Sequence, residues 1–256
     1  MKAKGQPVQF STIKGPVTVN VADHAALERA VRARFVAHEG FALATINLDH
    51  LVKLAKDEGF AAAYLAQDFV VADGNPIVWL SRKAEKPVEL LPGADLVVPL
   101  AQWAAEEGTP VALIGSTDEA LGAAAEALKT QAPGLKVVAC IAPPMGFDPE
   151  SAAAEAVLKQ AAEAGARMAF LALGAPKQER LAARGRQVVP QLGFASIGAG
   201  LDFLAGTQNR APAWVRKLAL EWLWRALSNP ARLAGRYLRC IGILPRLMKE
   251  ARAQRD

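Results

Sequence analysis

Six short, mostly apolar runs restrict the fold of this chain more than any other feature: Phe41–Asn47, Asp68–Asp73, Val111–Gly115, Lys136–Ile141, Met168–Gly174 and Phe194–Gly198. A strand with one wet face alternates apolar and polar residues. These runs are near-continuously apolar, so both faces of their sheet must be covered. Alanine-rich stretches with helical spacing separate most of them: Ala25–Val36, Asp49–Glu58, Ala94–Glu107, Asp118–Thr130, Pro149–Ala164 and Pro176–Val189. Repeated strand–helix–strand units join neighbouring strands by crossovers, which makes them parallel. The reading is an α/β fold, a mostly parallel sheet flanked by helices, and 256 residues suffice for one such domain and a tail. No internal repeat and no low-complexity linker interrupts it.

The tail begins near Arg210, where strand-like runs stop. Residues 210–256 hold eleven Lys or Arg against Glu221, Glu250 and Asp256, a balance of +8, which leaves −3 on residues 1–209 of a chain whose net charge is +5. Pro212 suits the first turn of a helix running to about Leu227, and Ala231–Cys240 and Arg246–Arg255 read as two further short helices. Arginine and tryptophan interleaved on amphipathic helices suit an anionic membrane surface. The rings and aliphatic stems enter the headgroup boundary, and the guanidinium groups meet phosphates. The sequence therefore divides into an α/β body, 1–209, and a basic helical appendage, 210–256. No uninterrupted apolar run is long enough to span a bilayer, and the opening residues lack the apolar stretch of a signal peptide. Cys140 and Cys240 match no metal spacing and fit a reduced, cytoplasmic setting.

In open parallel sheets, ligands sit beyond the carboxyl ends of the strands. That rule directs attention to Thr45 and Asn47, Asp73, Gly115–Thr117, Gly174–Gln178 and Gly198–Asp202. Asp73 ends an apolar strand and precedes Gly74; such a carboxylate can take a proton from an acceptor hydroxyl, or it can merely cap the helix that Pro76 opens. Gly174, Lys177 and Gln178 lie where a strand turns into a helix, an arrangement that suits a diphosphate and equally suits an ordinary turn. Ser116 or Thr117 reads as an N-cap. In GAGLDFLAGT (198–207), glycines permit close backbone approach and Asp202 can accept hydrogen bonds from ribose or uracil, but no dinucleotide fingerprint is present.

Absences narrow the chemistry. There is no Asp-x-Asp pair to hold a divalent cation, no serine-hydrolase elbow and no Walker lysine. His24, His38 and His50 show no ligand spacing and read as surface residues. The site as read needs neither metal nor cofactor; cationic side chains and helix N-termini would neutralise a departing diphosphate.

In order along the chain, TIN (45–47), ADGNPIVW (72–79), PGADL (92–96), GFDP (146–149), LGAPKQE (173–179), GAGLDFLAG (198–206) and RAPAWVRKLALEWLWR followed by NPARLAGRYL make a distinctive series. The sequence resembles the WecG/TagA/CpsF family, glycosyltransferase family 26, over about Val17–Leu238. The resemblance implies a Rossmann-like fold and an inverting transferase, which moves a hexose or N-acetylhexosamine-type sugar from a UDP-sugar to a polyprenyl-diphosphate-linked sugar. It would work in cell-surface polysaccharide synthesis at the cytoplasmic face of the membrane. The resemblance puts the catalytic base at Asp73 and an active-site threonine at Thr45, with Asn47 beside it. It puts a pocket glutamine at Gln178, a nucleoside-side aspartate at Asp202, an aromatic near uracil at Phe147, and diphosphate-closing arginines at Arg225, Arg232 and Arg236. Two departures stand out. Glu89-Leu90-Leu91-Pro92 lacks an arginine that many members carry before the following turn, and Asn75–Pro76 replaces small residues after Asp-Gly. The competing expectations are a non-catalytic nucleotide-sugar or anionic-lipid binding module and, through the basic tail, a nucleic-acid binder. The first conflicts with Thr45, Asp73 and Gln178 occurring together. The second conflicts with the acidic body and the absence of any nucleic-acid motif, so no nucleic-acid partner is expected.

Overall fold

Every residue of Ala42–Ile46 (β3), Val111–Gly115 (β5) and Met168–Ala172 (β7) is buried, the pattern of strands covered on both faces. A computed structural model describes residues 7–208, 211–212, 224 and 230–255. In it these strands join Phe69–Ala72 (β4), Val137–Ile141 (β6) and Gly193–Ser196 (β8) in one six-stranded sheet, ordered β4-β3-β8-β7-β5-β6. Every pairing within it is parallel. A separate antiparallel hairpin, Gln9–Thr12 (β1) and Gly15–Thr18 (β2), was not foreseen from sequence. Its Val8, Phe10, Val17 and Val19 are buried in the same core cluster as β3 and β4.

The helices follow the expected crossovers, with local differences. His24–Val36 (α1), Gly93–Glu106 (α5), Asp118–Gln131 (α6), Ala152–Glu163 (α7) and Lys177–Val188 (α8) lie within a few residues of their expected spans. The stretch expected as one helix, Asp49–Glu58, is instead Leu48–Leu54 (α2), followed by Glu58–Leu65 (α3). Asp57 causes the break: it is extended at φ −110° and its side chain accepts from the Phe60 N–H, so it starts a new helix. Asn75–Lys83 (α4) and Gly200–Leu204 (α9) complete the body.

The two short helices expected near the end are one, Pro230–Ala253 (α10), with Pro245 inside it. The proposed helix from Pro212 to Leu227 falls largely outside the described residues. α10 packs on α2, α4 and β1. Its Leu247 and Ala251 are fully buried in the core cluster of β3, β4 and the hairpin. Side-chain ties reinforce this packing. Gln254 bonds the Gln9 backbone twice, at 2.9 and 2.7 Å, and Arg255 Nε donates to the Lys83 carbonyl at 2.8 Å.

Candidate active site

Six parallel strands bring their carboxyl ends to one edge. Five adjacent ends, those of β4, β3, β8, β7 and β5, span about 19 Å at the usual strand spacing. Most residues singled out from the sequence stand along this rim.

At its β4–β3 end, the Asp73 N–H donates to the Ile46 carbonyl at 2.8 Å, continuing the ladder one residue past β4. The Asp73 carboxylate accepts from Asn47 Nδ2 at 3.2 Å. Asn47 is also the N-cap of α2, its Oδ1 accepting from the His50 N–H at 3.0 Å. One amide face is thus committed to the helix, so the other must present its N–H₂ to Asp73. Asp73 is not the cap of α4: that position is Gly74, at φ +104°, with no side-chain cap bond. A glycine is needed there, because few side chains tolerate that backbone. Leu90 bridges to Ala72, the residue before Asp73, and is partly exposed.

Thr45 is buried, one residue before the end of β3. Its carbonyl accepts from the Tyr64 hydroxyl at 2.7 Å, and His50 Nδ1 stands 2.7 Å from the same hydroxyl oxygen. Since the phenol proton goes to Thr45, His50 must donate at Nδ1, and full burial keeps the ring in its neutral form. Burial pushes its pKa down to about 3. His50 is therefore an interior brace, not the surface residue that its unremarkable spacing suggested. The signal was present: His50 lies four residues before the buried Leu54, on the core stripe of α2.

At the β8–β7 ends, Gln178 is buried in the first turn of α8. Its Oε1 accepts from the Gly198 N–H at 3.1 Å, and its Nε2 donates to Glu179 Oε1 at 2.9 Å. Gln178 thereby ties the turn after β7 to the turn after β8. Gly174 precedes it at φ +69°, the Ala175–Pro176 bond is cis, and Lys177 is half-buried. Sequence reasoning passed over Glu179. It is fully buried, its Oε2 has no hydrogen-bond partner, and burial raises its pKa to about 7. Helical spacing back from Leu181, Ala182 and Gly185 does place this turn on the core face of α8.

At the β5 end, Thr117 caps α6, while Ser116 donates from its hydroxyl to Asp202 Oδ1. Asp202, in α9, also accepts from Gln208 Nε2 at 2.9 Å. Phe147 lies apart from these groups. It is 6% exposed, in the core cluster of Ile114 and Ile141, which leaves little of its ring for a ligand. Arg236 Nε reaches Asp49 Oδ1 at 3.1 Å, in the first turn of α2. Lys53 Nζ lies 2.8 Å from Asp49 Oδ2 and donates to the Ala175 carbonyl at 3.2 Å. Burial opposes charge on Asp49, but its hydrogen bond with Lys53 and the charge of Arg236 hold its pKa below the ordinary value. Arg225, and the side chain of Arg232, lie outside the described residues.

Among the described residues, no group of three or more His, Cys, Asp or Glu is placed to hold a metal ion. A concavity lined by Arg34, His38, Thr109, Arg167 and Gln191 lies at the opposite, amino ends of the strands and includes none of the rim residues. The chain matches a family model described as "Glycosyl transferase WecG/TagA/CpsF family" over residues 14–256.

Proposed function

This chain belongs to the WecG/TagA/CpsF family of glycosyl transferases, and from that premise we propose that it is an inverting, metal-independent hexosyltransferase. The donor is a UDP-sugar, the acceptor is a polyprenyl-diphosphate-linked sugar, and the protein works on the cytoplasmic face of the membrane in cell-surface polysaccharide synthesis. One observation carries the proposal: a carboxylate oriented by an amide, Asp73 with Asn47, shares a rim with the Gln178–Gly198 tie and the Ser116–Asp202 pair.

The nucleotide lies toward Asp202 and the acceptor hydroxyl at Asp73. Asp73 takes the hydroxyl proton while the oxygen attacks the anomeric carbon from the face opposite the diphosphate. The bond from that carbon to the β-phosphate oxygen breaks, and UDP departs with the electron pair. A positioned base contributes roughly 10²–10⁴-fold. Thr45 and Asn47 shape the acceptor side. Gly174, Lys177 and Gln178 line the path of the diphosphate, while Phe147, buried among Ile114 and Ile141, backs the uracil side from the core and does not line it. Arg225, Arg232 and Arg236 close over the leaving group; for Arg236 this means exchanging Asp49 for phosphate oxygens.

No described helix is long and apolar enough to cross a membrane. α10 supports docking in the membrane plane instead. Leu238, Ile241 and Met248 are 68%, 55% and 42% exposed, on a face that begins about a quarter turn from the buried Cys240, Leu247 and Ala251. Exposed Lys249 and Arg252 accompany them.

The test is to supply the purified protein with a panel of UDP-sugars and a short-chain prenyl-diphosphate-sugar, and to detect product by mass with and without EDTA. One donor should give a product heavier by one sugar residue, at the same rate in chelator. Activity lost in EDTA and restored by Mg²⁺ or Mn²⁺ would overturn metal independence.

A further inference from the structure

At the end of β5 the backbone takes a course that glycine follows most readily. Gly115, at φ +122°, lies so close to β7 that an added Cβ would meet the Ala172 carbonyl oxygen at 2.4 Å. Ser116 follows at φ +49°, and its N–H donates to the same carbonyl at 3.2 Å. This is the left-handed region, where a non-glycine residue is strained and persists only if something offsets the strain. A glycine at 116 would remove the strain. The cap of α6 is not what Ser116 supplies, because Thr117 makes it, accepting from the Ala120 N–H at 3.3 Å. What serine adds over glycine is one hydroxyl, and that hydroxyl donates to Asp202 Oδ1. The other carboxylate oxygen accepts from Gln208 Nε2 at 2.9 Å. Asp202 is thus held at both oxygens while remaining partly exposed at the rim. Each carboxylate oxygen has a second acceptor site beyond the one so used.

We propose that Ser116 is a positioning residue for the donor: its hydroxyl fixes the Asp202 carboxylate in the orientation that accepts the ribose hydroxyls of the UDP-sugar. This rests on the reading of Asp202 as the nucleoside-side carboxylate. A carboxylate with both oxygens fixed can meet a vicinal diol without first losing rotamer freedom, so the cost of ordering falls on folding and not on binding. Strain at Ser116 is the counterpart in the folded protein.

The experiment is calorimetric titration of the full chain with UDP and with 2′,3′-dideoxy-UDP, for wild type, Ser116→Gly and Ser116→Ala, with a melting temperature for each. Wild type should prefer UDP. Ser116→Gly should melt at or above the wild-type temperature yet bind UDP about fivefold or more weakly, and both variants should lose most of the preference for UDP over the dideoxy form. A purely structural hydrogen bond would instead lower the melting temperature and leave that preference intact. A wild type that prefers UDP, beside variants that keep the full preference, overturns the inference alone. A wild type that does not bind UDP, or binds both forms alike, overturns the donor reading and the inference with it.

Discussion

Glu179 is where residue-scale chemistry is most demanding. It sits fully buried with one oxygen unpaired, and the charge of Lys53 nearby only partly relieves it. Burial raises its pKa from the ordinary 4.5 to about 7, so the folded protein binds this proton more tightly than the unfolded chain. The associated stability is fully present below about pH 4.5 and is lost progressively as pH rises to about 7. Glu179→Gln keeps the acceptor for Gln178 and cannot ionise. Its melting temperature relative to wild type should therefore rise between pH 5 and pH 8; an offset that stays constant would show that Glu179 is not the group that titrates. His50 acts with the opposite sign. Its depressed pKa, about 3, means that its contribution is complete above the ordinary 6.5 and fades as the pH falls. Residue identities at the rim were legible in the sequence because strand ends are marked by Thr45, Asn47, Asp73 and the glycines. Their partnerships were not. The bonds of Asn47 with Asp73, Gln178 with Gly198, and Ser116 with Asp202 join residues 26, 20 and 86 apart in the chain, and no local pattern encodes such distances.

At the scale of elements, the six sheet strands and their crossover helices could be read because burial on both faces leaves a continuous apolar signature. The hairpin Gln9–Thr18 could not, since four-residue strands with one wet face carry too few apolar positions to stand out. α10 was misjudged for a different reason. Pro245 falls in the gap between the two expected helices, yet it is exposed on the outer side, and burial of Leu247 and Ala251, two and six residues further on, holds the helix together across it. That packing bears on how the tail can be tested. Deletion from residue 209 would strip two residues from a core cluster and unsettle the body, so substitutions on the outer face are the sounder probe. Replacing Leu238, Ile241 and Met248 together with Glu should leave the melting temperature within about a degree of wild type, because exposed side chains contribute little to folding. The same protein should fail to sediment with anionic liposomes. Undiminished sedimentation would remove α10 as the docking surface.

On the scale of the whole molecule, charge and chemistry are divided in sequence but joined in space. The basic balance of +8 lies in residues 210–256 and the acidic balance in the body, yet α10 packs against α2, which carries Asn47 as its cap. Arg236 bridges the two through Asp49. A membrane-seated α10 would thus hold the rim close to the lipid that carries the acceptor, and would favour transfer over hydrolysis of the donor in solution. The family was legible in the sequence because its motifs fall at strand ends and in the tail, and the match over residues 14–256 agrees.

The central claim is that Asp73 removes the acceptor proton at a rim that binds the donor elsewhere. The direct measurement is turnover of Asp73→Asn against wild type with the accepted UDP-sugar, alongside UDP affinity for both. Asparagine preserves the shape and takes away the proton acceptor. Turnover should fall roughly 100-fold or more while UDP affinity stays within about twofold. An Asp73→Asn protein that turns over at the wild-type rate would contradict the account.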